Sequence, residues 1–192
     1  GFGAFCLNKD GTVIREFSTT ATGIDSLPFD SVRSILQTTN GDIFLGTPKG
    51  LCRLTDIQTG VQVINLSNGE PVYVTAMLED AAGHFWVGTA HHGLLQFDRL
   101  RNALVEPELQ QVLHEVLNGI IPIQILQFDA DELWIGTFNA GLIALNTRTG
   151  KVRHFRHSQN DPSGMSSNRV YSMIKDTSDI LWIGTADGLN KL

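Results

Sequence analysis

The sequence has little cysteine and no long apolar run. Its 192 residues include only two cysteines, Cys6 and Cys52, which cannot build a disulfide framework. Because unpaired cysteine is among the residue types most often buried, we expect two free thiols inside strands, with a bridge between neighbouring structural units as the alternative. No apolar stretch approaches the roughly 18 residues that a transmembrane helix requires, so the sequence predicts no membrane span.

Charge is also sparse and mostly negative. Charged residues make up 18% of the chain, and the formal net charge is −6. A protein that binds a phosphate backbone needs a basic face, so this composition argues against a nucleic-acid partner. The Gly-x-Ser-x-Gly motif, the phosphate-binding loop and the dinucleotide-binding fingerprint are all missing. We therefore expect no catalytic residues and no cofactor.

The sequence contains one short motif, called the phrase below, that recurs four times with small changes. It reads "DIFLGTPKGL" at residues 42–51, "HFWVGTAHHGL" at 84–94, "ELWIGTFNAGL" at 132–142 and "ILWIGTADGL" at 180–189. The glycine near the end of each phrase lies 43 to 48 residues from the corresponding glycine of the next phrase. A strand-rich repeat of about 40 to 50 residues is typical of β-propeller blades.

Each period predicts a four-stranded antiparallel blade. Its second strand, the "LWIGT" phrase, is apolar on both faces, as expected for a sheet that neighbouring blades cover on both sides. We predict an all-β propeller of about four repeats, with approximate limits at residues 1–17, 18–66, 67–110, 111–157 and 158–192. The aromatic and glycine positions of the phrase are predicted to form the structural core of the repeats: Phe44, Gly46, Trp86, Gly88, Trp134, Gly136, Trp182 and Gly184.

The two outer segments are the end of one blade and the start of another. We therefore expect the chain to be part of a larger propeller. A small closed ring, or the association of two half-rings through open blade edges, is the alternative.

Two further features concern local structure. Residues 106–119 carry apolar side chains at helical spacing up to a glycine, and the sequence leaves a helix and an irregular strand equally open. Asp80, Asp129 and Asp176 recur directly before the turn that leads into the second strand, where aspartate commonly accepts hydrogen bonds from backbone amides. We interpret all three as turn caps rather than as catalytic acids.

The last repeat, "MSSNRVYSMIKDTSDILWIGTADGLNKL", closely resembles the two-component regulator propeller repeat. The matching positions are the Ser-Ser-Asn-x-Val entry at 166–170, Asp176, the Leu-Trp-Ile-Gly-Thr strand at 181–185 and the Gly-Leu pair at 188–189. The first repeat departs from the pattern, since Thr38 replaces the acid and Phe44 replaces the tryptophan.

The resemblance implies a non-catalytic sensor propeller in the periplasm, within a membrane-anchored bacterial receptor that carries a kinase or cyclic-dinucleotide synthase domain. It also implies a small-molecule or carbohydrate ligand. Two other functions stay open. A propeller lyase would need a histidine and an acid converging on one face, with His91, His92 and His157 as candidates. A scaffold propeller that binds protein partners, of the quinone-enzyme or outer-membrane-assembly type, is similar at residues 141–155 but places its tryptophan differently.

Related propellers gather functional residues on the face that holds the loop entering the first strand and the loop between the second and third strands. We therefore predict ligand-binding residues in the turns that follow the Gly-Thr pairs: Lys49, His91, His92, Phe138, Asn139 and Asp187. Phe138 would either stack on a sugar ring or pack locally. A metal site at the histidine pair is not expected, because adjacent side chains of an extended chain point in opposite directions.

Overall fold

The computed structural model describes residues 3–54, 60–161 and 164–192, and within these ranges antiparallel strands form five sheets. The first sheet has two strands, β1 (Ala4–Leu7) and β2 (Val13–Phe17). Blade I has β3 (Ser34–Gln37), β4 (Ile43–Thr47), β5 (Gly50–Leu54) and β6 (Val61–Ile64); blade II has β7 (Val74–Glu79), β8 (Phe85–Thr89), β9 (Leu94–Asp98) and β10 (Ala103–Val105). Blade III has β11 (Pro122–Asp129), β12 (Glu132–Thr137), β13 (Leu142–Asn146) and β14 (Val152–Phe155); blade IV has β15 (Val170–Lys175), β16 (Leu181–Thr185) and β17 (Gly188–Lys191).

The strands of each blade lie side by side in their order along the chain. The first strands of successive blades lie next to one another, and the side-chain amide of Gln124 in β11 bonds both the N–H and the C=O of Met173 in β15. Four-stranded meanders that pack face to face around their first strands are the blades of a β-propeller. The predicted fold class is confirmed.

The ambiguous segment is a helix, α1 (Gln110–Leu117). It does not replace the fourth strand of blade II, because β10 precedes it; it is inserted in the connection to blade III. Leu113 and Leu117 are buried in the core between these two blades, which accounts for the apolar spacing. Just beyond the helix, Gly119 adopts a positive φ of 68°, a conformation that favours glycine. No helix of the described ranges is long and apolar enough to cross a membrane.

The core lies between the blades. Phe44 of blade I meets Phe85 and Phe97 of blade II edge to face, with ring centroids 4.7 and 5.4 Å apart. At the same repeat position, Trp86 is buried between blades II and III and Trp134 between blades III and IV. Trp182 is only partly buried, because no described sheet covers that face of blade IV. Phe44, Trp86 and Trp134 therefore pack where two sheets meet.

In blades I, II and III the glycine of the Gly-Thr pair lets the next blade approach closely. A Cβ atom on Gly46 would lie 2.7 Å from Val74 Cγ1, and one on Gly136 would lie 2.7 Å from Val170 Cγ1. Both valines stand at the start of the first strand of the following blade. A side chain at these positions would force the two sheets apart.

Two of the three recurring aspartates cap turns and also hold a tryptophan. Asp80 accepts hydrogen bonds from the amides of Ala82 and His84, and its other carboxylate oxygen accepts the indole N–H of Trp86 at 2.8 Å. Asp176 binds the amides of Ser178 and Ile180 and the indole N–H of Trp182 at 2.8 Å in the same way. A buried indole N–H needs an acceptor, so the acid and the tryptophan form one unit.

The prediction for Asp129 is wrong. Asp129 belongs to β11 and pairs directly with Glu132 across a two-residue turn, and its carboxylate lies 3.9 Å from Lys175 Nζ. The indole N–H of Trp134 is instead accepted by Glu132 at 2.7 Å. In blade I the ring is Phe44, which has no N–H, and a threonine at the aspartate position is sufficient.

The Asp176 contacts predict a pH dependence of stability. The indole N–H of Trp182, and then the amide of Ile180, lower the pKa of Asp176 from its ordinary value of 3.8. A carboxyl group whose pKa is lower in the folded state stabilises that state above the unfolded pKa, and loses this contribution as the pH falls through the folded pKa. We expect urea unfolding of the wild type to lose stability more steeply below about pH 4 than unfolding of Asp176→Asn. Parallel curves for the two proteins would contradict this assignment.

The two cysteines differ in exposure. Both are free, as predicted, but Cys6 is exposed and only Cys52 is buried. Cys6 lies on the two-stranded sheet, where its neighbours Phe5 and Leu7 are also exposed because no described sheet covers them. Burial raises the pKa of the Cys52 thiol to about 12, so this side chain behaves as a small apolar core residue.

Candidate functional site

One face of the propeller holds both kinds of loop that the sequence singled out. The amide of Ala90 donates to Tyr73 O at 3.0 Å, Phe138 donates to Ile121 O at 2.9 Å and Ala186 donates to Arg169 O at 3.0 Å. Each bond ties the turn after a Gly-Thr pair to the residue just before the first strand of the same blade. The fourth equivalent residue is Pro48, which has no N–H to donate.

A bulge then turns the start of the first strand toward the centre of this face. The pairing of β7, β11 and β15 with their second strands shifts at Thr75, Ile123 and Tyr171. A β-bulge leaves one residue out of the ladder and redirects its side chain. The first strands are adjacent in successive blades, so the redirected side chains come together.

Two of the three bulge residues, Thr75 and Ile123, line a cavity of about 380 Å³, which we call the inner-rim cavity. Its size is near the lower end of the range for small-molecule sites, roughly 300–1,000 Å³. The hydroxyl oxygen of Thr75 is shielded from solvent and has no hydrogen-bond partner among the described residues. The lining comes from blades I, II and III: Arg33, Tyr73, Thr75, Ala90, Ile121, Ile123 and Phe138.

Arginines stand over the aromatic rings of this cavity. The guanidinium carbon of Arg169, from blade IV, lies 4.6 Å from the centroid of the Phe138 ring, and that of Arg33 lies 6.0 Å from the centroid of the Tyr73 ring. Nearby in sequence, Lys49 Nζ is 5.8 Å from the Phe29 ring. Within the described ranges, none of these three cations forms an ion pair. The surface in and around the inner-rim cavity therefore carries positive charge and aromatic rings, although the net charge of the chain is negative.

The structure does not gather the six predicted binding residues at one place. Phe138 lines the inner-rim cavity and is 41% exposed. His91 and His92 line a separate cleft of about 120 Å³ against α1. The side-chain amide of Asn139 donates to Gly119 O at 3.3 Å, Lys49 faces Phe29, and Asp187 is exposed in its turn.

The cleft beside α1 contains histidines and an acid, but they are loosely arranged. His114 Nε2 lies 3.7 Å from Glu106 Oε1, beyond hydrogen-bond distance, and both side chains are more than half exposed. Over the described ranges, no group of three His, Cys, Asp or Glu residues has an arrangement that could hold a metal ion. The ring of His157 lies elsewhere and contacts Met165 O through Nδ1 at 2.8 Å.

The sequence profile of the two-component regulator propeller family matches residues 67–91 and 164–187. These segments are the entry, first strand, turn and second strand of blades II and IV, the same parts that carry the Asp–Trp unit and the rim loops. Two of the four repeats thus match the two-component regulator propeller repeat.

The chain is similar to parts of much longer proteins. A 77-residue stretch is 38% identical to a histidine kinase of Formosa agariphila, and the match covers 36% of this chain and 6% of the kinase. The fold matches the extracellular domain of a candidate one-component system of B. thetaiotaomicron with a TM-score of 0.78 at 22% identity, over 95% of this chain and 23% of that one.

Two further solved structures share this fold, and one of them is a lyase. The extracellular domain of a candidate hybrid two-component system of B. thetaiotaomicron matches with a TM-score of 0.74 at 20% identity, over 98% of this chain and 23% of that one. Virginiamycin B lyase of Staphylococcus aureus matches with a TM-score of 0.62 at 16% identity, over 98% of this chain and 61% of that one. At these identities the likeness shows the fold alone.

Sequence reasoning missed most residues that line the inner-rim cavity, including Arg33, Tyr73 and Thr75. It also missed Arg169, which stands over the Phe138 ring. One signal could have found part of them. Residues 31, 73, 121 and 169, which occupy equivalent positions in the four repeats, are Ser, Tyr, Ile and Arg, while the next position reads Val, Val, Pro and Val. A variable position beside a repeated one, in a loop on a rigid scaffold, is typical of a binding surface.

Proposed function

We propose that this regulator propeller is a non-catalytic, ligand-binding sensor module of a bacterial signal-transduction receptor, placed in the periplasm. Two observations support the receptor context. Two of the four repeats match the two-component regulator propeller profile, and the fold matches extracellular domains of candidate two-component and one-component systems. The chain spans only 6% of the kinase and 23% of these domains, so the output domain and the membrane anchor are part of the proposal.

The observation that carries ligand binding is the inner-rim cavity. Three adjacent blades contribute to it, its walls combine apolar side chains with a few polar groups, and Phe138 at its edge is 41% exposed. An aromatic side chain held in a turn between rigid sheets can stack on a ring without much loss of conformational freedom on binding. A concave, mostly apolar surface with a few converging polar groups is the usual form of a small-molecule site.

That this module catalyses no reaction is also a proposal. Two of the candidate lyase histidines, His91 and His92, share the cleft beside α1 with an acid, Glu106. Its solvent-exposed Glu106 and His114 are too far apart to orient one another, and no Ser or Cys nucleophile lines it. The similarity of this chain to virginiamycin B lyase is a similarity of fold alone. Alanine at both His91 and His92 should leave ligand binding unchanged, and a loss of any measured turnover would favour the lyase alternative.

Removing Phe138 tests the binding role. A thermal-shift and calorimetry screen of this chain against neutral and acidic oligosaccharides and small metabolites should find a ligand. Phe138→Ala should bind that ligand roughly tenfold or more weakly, because it removes the stacking surface and the support of Arg169. Phe5→Ala is the matched control, since Phe5 is similarly exposed at 47% but lies on the first sheet.

Two results would count against the proposal. One is that no ligand is found across the screen. The other is that Phe138→Ala and Phe5→Ala bind equally well.

We further propose that isolated copies associate through their open blade faces. Ile174 and Leu189 on blade IV are 63% and 67% exposed. Ile35 is 67% exposed on the face of blade I that the two-stranded first sheet covers only in part. Leu142, which occupies the position of Leu189 in blade III, is fully buried against blade IV. A head-to-tail contact between copies would cover the same surfaces. Light scattering should show a mass that rises with concentration and falls in Leu189→Glu; a monomer at all concentrations would oppose this.

A further inference from the structure

In each blade one residue of the third strand stands directly beside the core aromatic residue of the second strand. The strand register pairs Phe44 with Arg53, Trp86 with Gln96, Trp134 with Ala144 and Trp182 with Lys191. Residues that pair in this way lie on the same face of the sheet and their side chains contact each other. The residue at this position therefore influences what covers the aromatic ring, and it differs in all four blades.

Three of the four rings have a cation of the chain over them. In blade I the guanidinium carbon of Arg53 lies 6.0 Å from the centroid of the ring, and in blade IV Lys191 Nζ lies 5.6 Å from it. In blade III the position holds the small Ala144, and its neighbour on β14, Arg153, lies 5.4 Å from the ring centroid instead. The electron-rich face of an aromatic ring attracts a cation.

In blades I and III an acid of the same blade also holds the cation. The residue two positions before the ring is Asp42 in blade I and Glu132 in blade III. These carboxylates pair with Arg53 and Arg153 at 2.6 and 2.8 Å. The ring and the carboxylate together form a cation site that the chain fills with its own side chain.

Blade II has the aromatic ring without the cation. Gln96 stands at the paired position, Val105 is its neighbour on β10, and His84 is the residue two positions before the ring. Among the described residues, no lysine or arginine lies over the Trp86 ring. Trp86 instead lines a cavity of about 430 Å³, which we call the wedge cavity. This volume is within the range of small-molecule sites, roughly 300–1,000 Å³.

The wedge cavity lies between blades II and III, at the strand ends opposite those that hold the inner-rim cavity. Its polar lining comes from blade II, from the segment that leads into α1 and from two turns of blade III: His84, Gln96, Glu108, Asp131, Thr147 and Arg148. Asp131 and Arg148 neutralise each other in an ion pair of 2.9 Å. The Glu108 carboxylate has no partner among the described residues, so the lining keeps one negative charge.

The imidazole of His84 adds a hydrogen-bond acceptor to this lining. Asp80 Oδ2 receives the indole N–H of Trp86 and lies 3.0 Å from His84 Nδ1. A carboxylate can only accept, so Nδ1 carries the proton and Nε2 of the neutral imidazole carries a lone pair. Within the described ranges Nε2 has no hydrogen-bond partner. An aromatic ring, a carboxylate and a nitrogen acceptor together suit a ligand that carries positively charged N–H groups.

We propose that the wedge cavity binds a small organic cation, a guanidinium or ammonium group on a short aliphatic chain, where the other three blades place their own lysine or arginine. The charged group lies against Trp86 and donates to Glu108 and to His84 Nε2. Its aliphatic chain contacts Pro107 and Leu109, which also line the cavity. This site is separate from the inner-rim cavity, and the proposal does not depend on the sensor function.

An NMR titration of this chain with three small molecules tests the requirement for charge. The probes are butylguanidinium, butylammonium and butylurea, which has nearly the shape of butylguanidinium but no charge. We expect the indole N–H signal of Trp86 to shift, and at least one of the two cations to bind about fivefold or more tightly than butylurea. The affinity of the cation should fall at high salt. Equal affinity for all three probes, or no shift at Trp86, overturns the proposal.

Two substitutions identify the groups responsible. Gln96→Arg supplies a cation from the chain at the position of Arg53 in blade I, and it should abolish binding of butylguanidinium. Glu108→Gln should weaken binding about threefold or more, because it removes the unneutralised carboxylate. Glu115→Gln is the matched control, since Glu115 is an exposed acid of α1 that does not line the cavity. Thermal unfolding verifies that each variant is folded. If Glu108→Gln binds the cation as tightly as Glu115→Gln does, this assignment fails.

A capped Gly-Arg-Gly tripeptide separates two sources of the cation. It carries the guanidinium group on a peptide backbone, as an arginine of another protein would. We expect it to bind more weakly than butylguanidinium, and tighter binding would overturn the assignment to a small molecule. None of these results bears on the sensor function, which Phe138→Ala tests at a different cavity.

Discussion

Trp134→Ala is expected to lower the free energy of unfolding by about 3–5 kcal/mol, within the range measured for buried Trp or Phe truncated to Ala. The Trp134 ring is 5% exposed, stacks on Phe155 with centroids 5.3 Å apart, and belongs to the core that joins blades III and IV. For a chain of this size the loss corresponds to a drop of about 6–20 °C in melting temperature. Differential scanning calorimetry and urea unfolding measure both quantities.

Trp182→Ala is the control that the repeat itself provides. Trp182 occupies the same position in blade IV, and each indole N–H is accepted by a carboxylate, Glu132 in one case and Asp176 in the other. The two variants therefore lose similar hydrogen bonds and differ mainly in burial, because one face of Trp182 is uncovered. We expect Trp182→Ala to cost less than half as much. Equal losses would mean that contacts within a blade, rather than between blades, determine the role of the tryptophan.

Gly136→Ala is expected to destabilise the protein by about 1–3 kcal/mol through overpacking. The new Cβ atom would lie 2.7 Å from Val170 Cγ1 and 3.3 Å from Met173 Cε, both on the first strand of blade IV. Gly136 lies in β12 and has no positive φ, so this cost is steric and not conformational. Urea unfolding of the variant and the wild type measures it.

The matched substitution is Gly184→Ala. There the new Cβ atom meets only Ser172 Oγ within 3 Å, an atom at the end of a side chain that can rotate away. No described strand of another blade lies against it, so a loss of well under 1 kcal/mol is expected. A large loss at Gly184, or none at Gly136, would contradict the view that these glycines are required by the neighbouring blade. Val170→Ala combined with Gly136→Ala should restore part of the stability, because it removes the clashing methyl groups.

The repeating parts of the fold were predictable because each repeat faces the same environment. The second strand is apolar on both faces wherever two blades enclose it, and the amino-acid sequence alone shows that pattern. The exceptions were local. Asp129 differs from Asp80 and Asp176 because its turn is shorter, and Cys6 is exposed because its sheet has only two strands. The spacing of the repeats in the sequence indicates neither of these two features.

The candidate site was predictable only in part. The sequence located the face that holds the inner-rim cavity and one of its lining residues, Phe138, since the turns after the Gly-Thr pairs are easy to locate. It did not identify the arginine–aromatic contacts, because Arg169 and Phe138 are 31 residues apart and belong to different blades. Nor did it separate His91 and His92 from the rim, because their cleft depends on the inserted helix α1.

By itself, the sequence determined the β-propeller fold, its repeat length and the residues packed between blades, because burial on two faces imposes the same side-chain pattern in every period. Only the tertiary structure decided which loop residues meet and which charges are left without a partner. Those properties arise where different blades converge around the centre, and the side chains that meet there are not related by the period.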